Sequence, residues 1–131
     1  MAGMPTTAAC PAFAYTPDAS APVVTALQDA GCICLGKVNM DQFAAGLNGT
    51  RTPHGIPKNA RDSRVIPGGS SSGSAVAVAT GAVTFALGTD TAGSGRVPAG
   101  LNGVVGMKPS VGLISTKGEV LPRQCVDVRI V

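Results

Sequence analysis

The sequence predicts an α/β fold, and two stretches of the chain carry that prediction. An amphipathic helix over residues 20–31 is followed directly by a short apolar strand over 32–35, which is half of a parallel α/β crossover. Farther along, a Gly/Ser loop, a small apolar helix, a strand and a second Gly/Ser loop follow one another over 68–98. The length of 131 residues suits a single domain spanning 1–131.

Start and stop signals define the first helix. Ser20 is expected to cap it, Pro22 suits its first turn, and Gly31 ends it. The flanking stretches predict less regular structure: irregular chain over 3–15, one helical turn over 41–45, and a surface loop over 48–67. His54 lies in that loop and is expected to be solvated rather than catalytic.

The central stretch combines flexible loops with small apolar elements. Glycines beside consecutive serines over 68–74 permit backbone conformations that a Cβ would forbid. Residues 75–80 predict a buried helix that ends at Gly81, and 83–87 predict a buried strand. That strand leads into 88–98, where Ser94 lies among glycines and is a candidate nucleophile.

The last third of the chain predicts turns and short strands. After a helical turn at 99–101, glycines alternate with aliphatic residues over 104–120, as is typical of strands and turns. An edge strand is predicted where apolar and charged residues alternate, at Val126, Asp127, Val128, Arg129 and Ile130.

Two known motifs fail on this sequence. Positions 69, 71 and 73 match Gly-x-Ser-x-Gly, but a nucleophile elbow at Ser71 needs a histidine after the serine. The only histidine, His54, precedes it. A phosphate-binding loop is excluded because Ser74 stands where that motif requires lysine.

Composition and charge exclude several classes of function. The net charge of +3 includes no run of basic residues, and three Phe with one Tyr are the only aromatics, so nucleic-acid binding is not predicted. The four cysteines form no Cys-x-x-Cys pair and no histidine cluster accompanies them, which predicts buried free thiols, no metal site and no cofactor. Without a basic leader or a membrane-spanning apolar run, the chain is expected to be soluble and cytoplasmic.

The two Gly/Ser loops together resemble those of the amidase signature family. The matching segments are GGSSSG at 68–73 and GTDTAGSGRVP at 88–98, with the separation between the two serines that the family uses. Within that family the resemblance is nearest to allophanate hydrolases, because of TTAACP at 6–11 and AGSGRVPA at 92–99. It implies a partial α/β/α sandwich around a mixed sheet, incomplete at both ends.

The resemblance implies a serine mechanism for amide hydrolysis. Ser94 would be the nucleophile, and Ser70, in a cis peptide, would relay its proton to a lysine. The N–H groups of Thr91, Ala92, Gly93 and Ser94 correspond to the family's oxyanion hole.

The neighbouring side chains have more than one interpretation. Arg96 would either pair with Asp90 and support the loop, or bind a substrate carboxylate with its planar fork. Ser71 is interpreted as a loop-supporting or substrate-binding residue, and the hydroxyls of Ser71, Ser72 and Ser74 are expected to satisfy loop and helix-start amides.

The family's catalytic lysine has no counterpart in this chain. In relatives it lies on a strand just ahead of the segment that matches 3–7, whereas Lys37 and Lys108 correspond to other lysines. Three functions therefore stay open: an amide hydrolase acting on allophanate or a similar small molecule, a non-catalytic amide- or carboxylate-binding module, and an inactive fragment. Self-association or a complementing chain that supplies the lysine is also expected.

Overall fold

A computed structural model describes residues 1–120 and 128–130. Its helices are α1 (Pro22–Asp29), α2 (Ser72–Ala79) and α3 (Arg96–Asn102), and its strands are β1 (Leu87–Thr89) and β2 (Val128–Ile130). Short 3₁₀ turns occupy Pro11–Phe13 and Gln42–Ala44. Of the predicted edge strand, Val126 and Asp127 lie outside the described residues.

Helix α1 confirms the predicted stop signal but not the predicted cap. The helix follows Ala21, has Pro22 in its first turn, and ends where Gly31 adopts a φ of +90°. Ser20 does not cap the helix, because the N-cap position falls on Ala21, and the Ser20 hydroxyl accepts a hydrogen bond from the Ala2 N–H at 3.0 Å. Ser20 therefore holds the first residues of the chain against the start of α1.

The strand predicted over 32–35 is not formed. Ile33 is 84% exposed and Leu35 is 71% exposed, and no other described residue pairs with this segment. A strand exists only where a neighbour accepts its backbone hydrogen bonds, and apolar sequence alone does not supply one. The strand pattern over 104–120 also yields no strand, and Val105, Val111 and Leu113 are likewise exposed.

Helix α2 begins three positions before the predicted one because Ala75 N–H bonds to the Ser71 carbonyl at 3.2 Å. It ends as predicted, with Gly81 at a φ of +73°. Strand β1 lies later than the predicted 83–87, because its antiparallel partner β2 sets Leu87 opposite Ile130 and Thr89 opposite Val128. The edge strand predicted around residue 128 is therefore confirmed over Val128–Ile130.

Small residues make the core. Ala75 of α2 packs with Ala99 of α3, and Val104 covers the pair. The predicted turn at 99–101 is part of the longer α3, which stops at Gly103 with a φ of +71°. Packing α2 on α3 brings the serine loop that precedes α2 beside the loop that precedes α3.

The loop over 48–67 has no helix or strand, as predicted, yet its base is held by buried amides. Asn102 donates to the carbonyls of Pro67 and Pro98 at 2.7 and 2.8 Å, and its oxygen accepts the Ala60 N–H. Asn59 donates to the carbonyls of Ile66 and Leu101. The two asparagines tie the loop to α3.

The cysteine prediction is correct about oxidation state and wrong about burial. Cys10, Cys32 and Cys34 are free thiols, but Cys34 is exposed and the other two are half-buried. Cys125 lies outside the described residues. In the part of the chain that is described, no helix is long and apolar enough to cross a membrane, and no group of three His, Cys, Asp or Glu side chains could hold a metal ion.

Candidate active site

The two serine loops are joined through their backbones. The Ser71 N–H donates to the Ser94 carbonyl at 3.0 Å. The Ser71 hydroxyl donates to the Thr89 carbonyl and accepts the Thr89 N–H, each at 3.1 Å. Ser71 thus links the first loop to both the strand and the second loop.

The hydroxyls of Ser74 and Ser72 in that loop differ in their hydrogen bonding. Ser74 is buried and its hydroxyl donates to the Leu87 carbonyl at 2.7 Å, which ties α2 to β1. Ser72 is fully buried, and its hydroxyl has no hydrogen-bond partner among the described residues. The prediction that Ser72 satisfies a loop amide is therefore wrong.

Ser70 lies at the cis peptide that the sequence resemblance implied. The Gly69–Ser70 bond is cis, the residue is fully buried, and its carbonyl accepts the Asp41 N–H at 2.9 Å. Its hydroxyl has no hydrogen-bond partner within the described parts of the chain. Ser94 is 6% exposed, and no direct hydrogen bond joins its hydroxyl to that of Ser70.

The carboxylate of Asp90 shapes the Ser94 loop. Asp90 is fully buried and accepts the N–H groups of Gly93 at 2.6 Å and Arg96 at 3.0 Å. The loop therefore curls around one charged group, and Gly93 turns at a φ of +125°, which side chains rarely adopt. Charge-assisted bonds of this kind are stronger than bonds between neutral groups, so the loop shape is well fixed.

One of these bonds involves a residue of the expected oxyanion hole. The Gly93 N–H donates to Asp90 Oδ1 at 2.6 Å. Among the described residues, the N–H groups of Ala92 and Ser94 have no acceptor. Of the expected oxyanion-hole residues, Ala92 and Ser94 therefore have N–H groups without an acceptor among the described residues, whereas the Gly93 N–H is paired with Asp90.

Arg96 takes the loop-supporting arrangement. Its Nε lies 2.9 Å from Asp90 Oδ2 and its Nη2 lies 3.2 Å from Asp90 Oδ1, so the planar fork is occupied. The side chain is 52% exposed, and hydrogen bonding to Asp90 raises the pKa of its guanidinium. Binding a substrate carboxylate through both of these nitrogens would require breaking the pair with Asp90.

The two lysines singled out by sequence both bond to backbone carbonyls. Lys37 Nζ donates to the Met4 carbonyl at 2.8 Å, and partial burial lowers the pKa of its ammonium. Lys108 Nζ donates to the Asp90 carbonyl at 3.1 Å and so braces the Ser94 loop. His54 is exposed, as predicted, and its ring lies 3.2 Å from the Thr7 hydroxyl.

Asp41 is the residue that sequence reasoning missed most clearly. It is fully buried, and its carboxylate accepts the N–H groups of Gly49 and Arg51 at 3.0 and 2.8 Å. The sequence assigned this position only to a helical turn, and the turn is a 3₁₀ segment in which Phe43 and Ala44 have positive φ. A signal was available, since an acidic residue just before a Gly-rich loop can bind loop amides.

A pocket of about 210 Å³ lies beside the candidate site without including it. Lys37, Thr89 and Glu119 line it together with residues from the N-terminal segment. Neither Ser70 nor Ser94 lines it. Thr89 is the point at which the pocket approaches the serine loops.

A cis Gly–Ser peptide, a serine on a tightly turned loop and unpaired backbone N–H groups beside it lie together at this site. The chain belongs to the amidase family, whose sequence model, described as "Amidase", matches residues 1–129.

Three relatives agree with that assignment. The chain is 58% identical to the urea amidolyase of Lachancea kluyveri over 125 residues, which cover 95% of this chain and 7% of that protein. The solved allophanate hydrolase of Kluyveromyces lactis superposes with a TM-score of 0.74 at 54% identity, over 76% of this chain and 16% of that chain. A solved amidase family protein of Bacillus anthracis superposes with a TM-score of 0.85 at 35% identity, over 93% of this chain and 26% of that chain.

These comparisons also confirm the α/β fold of the amidase signature type and the resemblance to allophanate hydrolases. The described sheet has only the two antiparallel strands β1 and β2, so the mixed sheet of the expected sandwich is not seen in these residues. The chain spans less than a tenth of the urea amidolyase that it matches, at 7% of its length.

Proposed function

We propose that the protein hydrolyses the C–N bond of a small amide, with allophanate or a similar compound as substrate. The observation that carries the proposal is the joining of the two serine loops by the Ser71 N–H and the Ser94 carbonyl at 3.0 Å. Membership of the amidase family and the similarity to urea amidolyase and allophanate hydrolase support the same chemistry.

In this proposal Ser94 Oγ attacks the amide carbonyl carbon, and Ser70 Oγ takes its proton and passes it to a lysine. The C–N bond of the tetrahedral intermediate breaks as the departing nitrogen receives that proton. Water then attacks the acyl-serine through the same relay, which releases the acid and restores the Ser94 hydroxyl. Because Ser70 Oγ has no other partner among the described residues, it is available for this transfer.

The negative charge that develops on the carbonyl oxygen is assigned to backbone donors at the turn. The N–H groups of Ala92 and Ser94 support this role, with Thr91 adjoining them. Asp90 and Arg96 are assigned to stabilising the turn, since Asp90 accepts hydrogen bonds from both the backbone and the side chain of Arg96 within the loop. Because the fold already holds these N–H donors in place, they need not reorient as the negative charge develops.

The lysine is assigned to a segment that adjoins residues 3–7, supplied by a longer form of the chain or by a complementing chain. Lys37 and Lys108 are not assigned to the role because their ammonium groups are hydrogen-bonded to the Met4 and Asp90 carbonyls. The free thiols of Cys10, Cys32 and Cys34 favour a reducing compartment, and we place the activity in the cytoplasm.

A second function is favoured by those same lysine contacts. If no lysine is supplied, the N–H groups of Ala92 and Ser94 would still form a site for the oxygen of an amide or a carboxylate. The protein would then act as a non-catalytic binding module.

The test is ammonia release from allophanate and from simple amides, measured with and without an added segment that carries a strand and the lysine. We expect almost no turnover without the segment, because positioned acid–base help is typically worth about 10²–10⁴-fold. With the segment, turnover should appear and should be lost in Ser94→Ala.

Two controls separate the outcomes. Ser115→Ala, at an exposed serine, should match the wild type. Full turnover without the segment that disappears in Lys37→Ala would show that Lys37 is the base and would overturn the lysine assignment. Saturable binding of amides without turnover under every condition would favour the binding module.

A further inference from the structure

We infer that Asp41 is a positioning residue for the candidate relay serine, Ser70, and this inference rests on the function proposed above. Asp41 is fully buried, although it lies just before a short turn in a part of the chain that otherwise has little regular structure. Its own N–H donates to the Ser70 carbonyl at 2.9 Å. The residue is therefore in direct hydrogen-bond contact with the backbone of Ser70.

The carboxylate of Asp41 holds a second piece of chain. Oδ2 accepts the Gly49 N–H at 3.0 Å and Oδ1 accepts the Arg51 N–H at 2.8 Å. Gly49 is buried and has a φ of +76°, so the carboxylate fixes a turn that few side chains could adopt. Two charge-assisted bonds from one buried group define the path of this loop.

That loop in turn contacts the residue before Ser70. The Gly69 N–H donates to the Leu47 carbonyl at 2.8 Å. A Cβ on Gly69 would overlap Asp41 Oδ2 and would lie 2.5 Å from the Gly49 nitrogen. Asp41 therefore restrains the chain on both sides of the Gly69–Ser70 peptide, by its bond to the Ser70 carbonyl, by direct packing on Gly69, and through the loop that it holds.

Asp41 would affect the reaction through the position of the Ser70 hydroxyl. The Ser70 hydroxyl has to stay within reach of Ser94 for a proton to pass, and misplacement of a catalytic group by about 1 Å can cost on the order of 10²-fold in rate. Replacing Asp41 by Asn retains one acceptor but sets an NH₂ group against the other backbone N–H. Replacing it by Ala leaves the N–H groups of Gly49 and Arg51 without their acceptors.

The test compares Asp41→Asn and Asp41→Ala with Asp62→Asn, in the protein supplied with the lysine-bearing segment. Asp62 is a matched control because its carboxylate also accepts a backbone N–H, that of Arg64 at 2.9 Å, at a half-buried site away from the serine loops. One measurement is the rate at which a fluorophosphonate labels Ser94, per folded molecule and well below the unfolding midpoint. The other is amide hydrogen exchange over 47–51 and 69–71.

We expect Asp41→Asn to slow labelling about 10- to 100-fold and to speed exchange in both stretches, with a larger effect for Asp41→Ala and none for Asp62→Asn. Unchanged exchange, or faster exchange with labelling at the wild-type rate, would overturn the positioning role. If wild-type Ser94 is not labelled at all, the proposed function fails, and the exchange pattern alone still decides whether Asp41 holds the Ser70 peptide.

Discussion

The serine loops bury polar side chains, whereas the extended segments over 32–38 and 104–113 expose apolar ones. In and around the loops, Ser70, Asp41 and Asp90 are fully buried. In the extended segments, Ile33 is 84% exposed and Val105 is 80% exposed. For the two carboxylates, burial follows the availability of hydrogen-bond partners, whereas the buried Ser70 hydroxyl has no partner among the described residues.

The physical reason is the backbone. A buried polar group is tolerated when it is paired, and Asp90 and Asp41 each accept two backbone N–H groups. Glycines let the chains approach closely enough for such bonds, as at Gly73, where a Cβ would overlap the backbone of Asn39. In the extended segments, most aliphatic side chains gain little burial, Val104 excepted, because no described strand pairs with these segments.

The largest expected effect is that of Gly69→Ala, compared with Gly36→Ala. A Cβ at Gly69 would overlap Asp41 Oδ2 and crowd Gly49, whereas a Cβ at Gly36 meets nothing within 4 Å. We expect Gly69→Ala to cost more than about 3 kcal/mol in free energy of unfolding and Gly36→Ala less than about 0.5 kcal/mol. Urea unfolding followed by circular dichroism measures both losses in free energy of unfolding. Similar losses for the two variants would contradict the expected difference in packing between the serine loops and the extended segments.

An intermediate effect is expected for Ser71→Ala. The change removes the hydroxyl that both donates to and accepts from Thr89, and it leaves two backbone groups of β1 unpaired. The expected loss is about 1–3 kcal/mol in free energy of unfolding. The control is Ser115→Ala, since that exposed hydroxyl accepts only a long bond from Lys117 N–H at 3.4 Å. A loss equal to that of the control would mean that Ser71 does not hold the loops together.

The smallest effect on stability and a clear effect on association are expected for the double change Ile33→Lys with Leu35→Lys. Both side chains are exposed, so the free energy of unfolding should change by less than about 0.5 kcal/mol. Exposed apolar residues on an unpaired segment favour self-association, and added charge should weaken it. Sedimentation velocity at several concentrations checks this, and a wild-type chain that is monomeric throughout would contradict it.

The sequence predicted well those features of the fold that depend only on neighbouring residues. Gly31 and Gly81 end helices at positive φ, as their sequence context indicates. The cis Gly69–Ser70 peptide and the proximity of its loop to Ser94 followed from the family resemblance of the two Gly/Ser loops. Short-range signals of this kind need no knowledge of distant partners.

The errors about strands arise where a distant partner decides the outcome. Strand β1 takes its position from β2, some forty residues away, and the segment over 32–35 finds no partner at all among the described residues. The bond from the Gly93 N–H to Asp90 is local, and an acidic residue just before a Gly-rich loop was a signal for it that the sequence interpretation did not use. The same signal was present at Asp41, but which amides its carboxylate binds depends on how the chain folds back eight to ten residues later.

The hydrogen bond from Gly49 to Asp41 also affects how the protein ages. Asparagine followed by glycine is prone to deamidation, because the glycine nitrogen attacks the asparagine side-chain carbonyl, and the chain has such pairs at Asn48–Gly49 and Asn102–Gly103. In the fold the Gly49 nitrogen is bound to Asp41 Oδ2 and the Gly103 nitrogen to the Gly100 carbonyl, so neither is free to attack. Mass spectrometry of stored samples should find both pairs intact while the protein is folded and converted once urea unfolds it. The Asp41 carboxylate that shapes the loop thus also protects Asn48 from deamidation in the folded protein.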